Sequence, residues 1–201
     1  MSKPPIFSEQ LEHWIKGSQP KTLATLIELF GEKSFAVLIL LFMAIPALPV
    51  PTGGITHVLE IVVALLALEQ IAGLRGIWLP PFLTRRIQLK KILGGKLGVS
   101  LIKRIKQLEK HSSPRWKSLF GLPLVSRLIG LLVLGLTAGA FFAPPFSGLD
   151  TLPSLGVVLI TLAIILDDAV MFVAGTVVGI AGIALSVFLG AEIVKLFHHL
   201  F

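Results

Sequence analysis

Residues 34–54 read SFAVLILLFMAIPALPVPTGG, and the fold turns on how this stretch is taken. It opens a long run, from Ser34 to Leu59, without Asp, Glu, Lys or Arg. A membrane-spanning helix needs about 20 apolar residues at a rise of about 1.5 Å each. Ser34 to Ile45 supplies only about 18 Å of helix before Pro46, Pro49, Pro51, Gly53 and Gly54 interrupt it. That is short of a hydrocarbon core about 30 Å thick. Proline lacks the backbone donor and clashes with the preceding turn. The stretch therefore predicts a short helix and a non-helical break at membrane depth, tolerated only inside protein or beside water. A second charge-free run, from Leu128 to Leu149, is broken in the same way at Pro144 and Pro145, with Pro153 just beyond it. Of the charge-free runs, only residues 169–191 read as an uninterrupted span, and the two broken runs read as re-entrant hairpins.

Composition agrees with a lipid solvent. The chain has 201 residues, 54% apolar and 14% charged, against about 25% charged in soluble domains. Mean hydropathy is +0.89. A disordered chain, a coiled coil and an ordinary soluble enzyme are excluded. There is no cysteine, hence no disulfide framework and no thiolate chemistry. No phosphate-binding glycine loop, nucleophile elbow or zinc-protease motif is present. His198 and His199 lack partners at ligand spacing, so no metal or cofactor is expected.

The net charge of +7 is local. Eleven of the 18 Lys and Arg lie between Arg85 and Lys117, opposed only by Glu109. Flanking apolar segments make this a membrane feature rather than a nucleic-acid footprint. Basic loops beside spans stay in the cytoplasm, so residues 85–117 are expected on the cytoplasmic side of a membrane crossed several times. Arg85, Arg86, Lys90, Lys91, Lys103 and Arg104 are expected to meet anionic lipid head groups. Residues 10–29 and 87–108 read as amphipathic segments at the interface, with Trp14, Trp78 and Trp116 suited to head-group level.

The chain also resembles itself at a nearly constant offset. Gln10-Leu11-Glu12 recurs as Gln107-Leu108-Glu109, Gly31 as Gly130, Pro46 as Pro144, and Leu68-Glu69-Gln70 as Leu166-Asp167-Asp168. This predicts one all-α membrane domain over residues 1–201, with a first repeat at 9–84, a basic linker at 85–104 and a second repeat at 105–201. Segment 8–30 carries a net −1 and segment 105–128 a net +4. Opposite charge bias in equivalent segments points to opposite sides of the membrane, an inverted repeat.

Ionisable groups inside apolar segments are expensive, and so mark candidate sites. Glu60 and His57, three apart, share a helix face and can hydrogen-bond. Glu69 and Gln70 occupy the position of Asp167 and Asp168 in the repeat, a candidate pseudo-symmetric site, although such residues also mark helix ends. Thr52 and Gly53 precede a helix start that favours anions. Gly175 and Gly179 form a small-residue pair that serves either a homodimer or an internal helix contact.

The Pro-rich break Ile45-Pro46-Ala47-Leu48-Pro49-Val50-Pro51, Leu68-Glu69-Gln70, Gly76-Ile77-Trp78-Leu79-Pro80 and Pro114-Arg115-Trp116 together resemble the bacterial ExoD (exopolysaccharide synthesis) family. The resemblance covers about residues 9–195. It implies an integral, multi-pass protein of the bacterial inner membrane tied to exopolysaccharide production, without an enzymatic mechanism. It also implies an acidic residue, often Asp-Gly, where this chain has Asp167-Asp168. The expected function is a small transporter-like protein moving an ion, a proton-coupled solute or a lipid-linked anion. The alternative is a non-transporting scaffold for polysaccharide assembly. An enzyme would have only His57 and Glu60 to work with.

Overall fold

The computed structural model describes residues 7–18, 22–48, 55–74, 77, 96–112, 120, 122–143 and 147–200. Among these residues there is helix and turn but no strand. Amphipathic helix α1 (Phe7–Lys16) buries Phe7, Leu11 and Trp14, and α2 (Leu23–Phe30) follows with Thr22 capping the Thr25 N–H. Their separate formation matches the amphipathic pattern, whereas Trp14 is buried inside rather than presented to head groups. A 3-10 turn over Gly31–Lys33 leads into α3 (Ser34–Met43). Then come α4 (Ile55–Ala72), α5 (Lys96–His111), α6 (Pro123–Phe141), α7 (Thr151–Leu166) and α8 (Ala169–Leu200).

Helix α3 is apolar all round and buried along nearly its whole length, the pattern of a central helix. The turn at residues 44–48 keeps Pro46 buried and packs Ile45 and Ala47 on the core. That break is thus held inside protein, where backbone outside a helix is tolerated at membrane depth. Pro49, Pro51, Pro144 and Pro145 lie outside the described residues. Pro153 corrects an expectation: it is no break, but a buried residue in the first turn of α7, where proline fits a helix.

Among the described residues three helices, not one, are long and apolar enough to cross a membrane: Ile55–Ala72, Pro123–Phe141 and the Ala169–Gly190 part of α8. Charge-free length is the wrong ruler here. Glu60 and Glu69 lie inside α4 with their side chains buried, and Arg127 lies in the first turns of α6.

Helix directions follow from side-chain contacts. His57 near the start of α4 meets Phe141 at the end of α6, with ring centroids 5.2 Å apart. Gln70 near the end of α4 donates to the Ser126 carbonyl at 3.1 Å. The two helices are antiparallel. Lys33, just before α3, donates to Ile165 O at 2.8 Å and Asp167 Oδ2 at 2.9 Å, so α3 starts where α7 ends. Gly156, Gly175, Gly179 and Gly182 pack α7 antiparallel to α8, while Gly139 and Gly179 set α8 parallel to α6.

So α3, α6 and α8 run one way, and α4 and α7 the other. At the repeat offset α3 corresponds to α6 and α4 to α7. Helices matched at that offset therefore run in the same direction, and the expected inverted halves are not shown. The reason lies in how α1 and α5 use their charges. Glu12 accepts from Lys106 at 2.5 Å, and Glu109 accepts from the Ser8 N–H at 2.9 Å and from the Ser8 hydroxyl. Glu12 and Glu109 are themselves equivalent, and each reaches across an antiparallel pair to the other helix. The opposite charge bias is complementarity at one end of the bundle, not a sign of opposite sides.

This clasp carries a pH signature. The Lys106 hydrogen bond, assisted by Lys16, lowers the Glu12 carboxyl from 4.5 to about 2. The same bond raises Lys106. A lowered carboxyl stabilises the folded form fully above its unfolded value and loses that contribution as pH falls through the folded one. The α1–α5 contact should hold above about pH 4.5 and loosen toward about pH 2. Loosening should come more readily at high salt, because the pair is exposed. Spin labels on cysteines introduced at the exposed His13 and Lys103 would read the distance. A separation that stays constant down to the lower of those pH values would refute the assignment.

Candidate functional site

Two ends of the bundle differ in chemistry. The clasp end holds α1, α5, Lys33, Gln70, Arg127, Asp167 and Asp168. The opposite end holds the starts of α4 and α7 and the end of α6.

At the clasp end the polar residues terminate helices. Asp167 takes the left-handed conformation, φ 56°, and the Asp168 N–H reaches back to Ala163 O at 2.9 Å. Non-glycine residues other than Asn and Asp rarely accept that geometry. Asp168 Oδ1 then accepts from the Val170 N–H at 2.9 Å and from the Met171 N–H at 3.2 Å. This is an N-cap for α8. Adjacent aspartates thus end one helix and begin the next. Lys33 compensates Asp167 and binds a carbonyl at the negative end of α7. The end of α4 is built alike: Gly73 has φ 76°, Leu74 N–H bonds Glu69 O at 3.1 Å, and the Arg127 guanidinium covers Gly73. An Asp-Gly pair is therefore not needed for the turn, because Asp167 itself supplies the left-handed residue.

At the opposite end the polar residues converge on an interior acid. Glu60 is completely buried, and its Oε2 meets His57 Nδ1 at 3.1 Å, as the three-residue spacing predicts. The His57 side chain is 37% exposed, so it connects the buried acid to the outside of the bundle. Asp150, the residue before α7, makes no side-chain capping bond to its own helix. Thr137 of α6 and Ser154 of α7 are buried, and each hydroxyl lacks a hydrogen-bond partner, as does Glu60 Oε1.

Glu69 and Asp167 do not join this group. Two and a half turns of α4 separate Glu60 from Glu69, about 14 Å. Most of the length of α7 separates Ser154 from Asp167, about 20 Å. Thr52, Gly53, Arg85, Arg86, Lys90 and Lys91 lie outside the described residues. Lys103 and Arg104 are exposed on α5. Thr137 and Ser154 carry no sequence signal, since a lone hydroxyl in an apolar helix usually bonds its own i−4 carbonyl, as Thr161 does here at 2.9 Å. Gly175 and Gly179 pack on Gly156 and Ile160 within the chain, so they give no support to a homodimer. No group of three or more His, Asp or Glu that could hold a metal occurs among the described residues.

The chain is similar to the uncharacterized protein slr1875 of Synechocystis sp., at 29% identity over 184 residues, covering 89% of this chain and 80% of that one. No solved structure matches it. The family model for exopolysaccharide synthesis, ExoD, matches residues 7–188, and the chain belongs to that family.

Proposed function

We propose that this protein is a small transporter-like component of exopolysaccharide synthesis, working in the plasma membrane and coupling ion movement to that process. One observation carries the reading: a carboxylate fully buried in a membrane-length helix, bonded on one oxygen to a partly exposed histidine. An ionised carboxyl at membrane depth costs about 2.5–3.5 kcal/mol on insertion scales. A purely structural helix has no reason to carry it.

The basic segment 85–117 orients the molecule, with the clasp end in the cytoplasm. Both α4 and α6 meet the connecting segment at that end, so one cytoplasmic linker joins the two halves. His57 and Glu60 then open to the other side. The two halves are a tandem duplication about an axis along the membrane normal, because α3 on α7 mirrors α4 on α6. Lys103, Arg104 and Lys110, exposed on α5, contact anionic head groups.

That same exposed basic face supports a second reading, a scaffold that holds polysaccharide-assembly partners without moving anything. Reconstitution separates them. Purified protein in liposomes should carry ion flux above protein-free vesicles. Flux equal to that of empty vesicles, with partner capture lost in Lys103→Gln with Arg104→Gln, would replace transport by the scaffold.

A further inference from the structure

Among the described residues, besides Ser112 Oγ after α5, three buried oxygens on α4, α6 and α7 have no hydrogen-bond partner: Glu60 Oε1, Thr137 Oγ1 and Ser154 Oγ. They belong to residues 0%, 1% and 0% exposed. A buried hydroxyl or carboxylate oxygen left unpaired costs about 1–3 kcal/mol, so three in one small bundle call for a common explanation.

Helix registers bring them to one level. His57 opposite Phe141 and Ala67 opposite Gly130 set Glu60 of α4 beside Thr137 of α6. Leu152 and Pro153 opposite Gly182, and Gly156 opposite Gly179, set Ser154 of α7 level with Ala181 of α8. Leu136 against Gly179 and Gly139 against Ile183 return that level to Thr137. Asp150 stands just before α7, and Ser154 lies one turn beyond it on the same face.

We propose that Glu60 is a proton carrier, loaded from outside through His57, with the Thr137 and Ser154 hydroxyls at its own level as the groups to which it passes the proton. This rests on the transport reading above and names its ion. His57 bearing a proton on Nδ1 donates it to Glu60 Oε2 while Nε2 takes one from water. The ring stays neutral as the other tautomer, and the carboxylate becomes a carboxylic acid. The acid proton, turned to the unpartnered Oε1 side, is a donor at the level of two hydroxyls that each accept and donate. Loss of the Nε2 proton to water and uptake of a proton from water at Nδ1 reset the histidine.

The surroundings favour a proton over a metal cation. Among the described residues the charged or titratable neighbours are His57 on α4 and Asp150 before α7. Helix α6 offers Thr137 and Phe141, and α3 lines its side with apolar residues. One carboxylate oxygen and two hydroxyls fall short of the six or so oxygens that hard divalent cations take. The position equivalent to Glu60 in the second half is Val158, itself buried. The duplicated frame therefore carries one site, not two.

A hydrophobic carbodiimide tests this directly, because it adds to a buried carboxyl only when that group holds a proton. In the wild-type protein Glu60 should be modified, as read by peptide mass, and the modification should block acidification of pyranine-loaded vesicles. Thr137→Val with Ser154→Ala should slow acidification while leaving Glu60 reactive. An unreactive Glu60, or undiminished acidification by Glu60→Gln, would overturn the proposal. Flux that follows a sodium gradient at constant pH would overturn the proton assignment while leaving transport intact. Absence of all flux together with an unreactive Glu60 would overturn both.

Discussion

Gly156→Val should unfold the pairing of α7 with α8. A methyl placed on Gly156 would lie 2.5 Å from Gly179 Cα, 2.7 Å from Gly179 N and 2.8 Å from Gly175 O. Those neighbours are backbone, so no rotamer change relieves the clash, and the two helices must separate. Separation also breaks the seat of Leu136 on Gly179 and of Ile183 on Gly139, which join α6 to the same helix. Overpacking of a well-filled core costs about 1–3 kcal/mol when side chains yield. Here the backbone must move, so a loss of about 3 kcal/mol or more is expected. Gly135→Ala is the control. A methyl there meets open space and should stabilise by up to about 1 kcal/mol through helix propensity. Thermal inactivation in detergent would read both. Equal melting of Gly156→Val and wild type would show that the small-residue seam is not the packing surface.

Glu60→Gln should leave a folded protein that no longer supports exopolysaccharide production. The substitution keeps shape and a hydrogen bond to His57 while removing a buried charge. Such replacements are often neutral or stabilising, so the melting temperature should not fall. If Glu60 works only through its charge and proton, polymer yield in a strain lacking the protein should stay at background. Asp167→Asn supplies the opposite pattern. Asparagine tolerates the left-handed conformation that Asp167 holds at φ 56°. The Lys33 pair is lost, however, so stability should drop while polymer yield persists. That pair is part-exposed, so the loss should be small, at most about 1 kcal/mol. Normal polymer yield from Glu60→Gln would refute the site.

Much of this architecture is legible in the residues. The helical class follows from apolar runs longer than any strand needs, and the His57–Glu60 bond follows from their spacing. The contact between α1 and α5, which Glu12 and Glu109 make, is not announced by the offset that relates those residues. Other features depend on tertiary register and have no local signal. Thr137 and Ser154 look like ordinary helix hydroxyls until antiparallel packing sets them level with Glu60. Asp167 and Asp168 look like a membrane acid pair, whereas one ends α7 and the next begins α8. The relative direction of the halves is hidden because charge bias has two causes. It reports sidedness when segments are apart and complementarity when they touch, as Glu12 and Lys106 do.

The central claim is that both halves enter the membrane from one side, with the Glu60 site opening on the other. The chain has no cysteine, so single introduced cysteines report sidedness cleanly. Leu29 precedes α3 and Leu122 precedes α6, and both are exposed, as are Ile55 at the start of α4 and Phe142 at the end of α6. A membrane-impermeant maleimide applied to sealed cells should spare cysteines at 29 and 122 and label those at 55 and 142. Labelling of one of the first pair but not the other would mean inverted halves and would contradict the account.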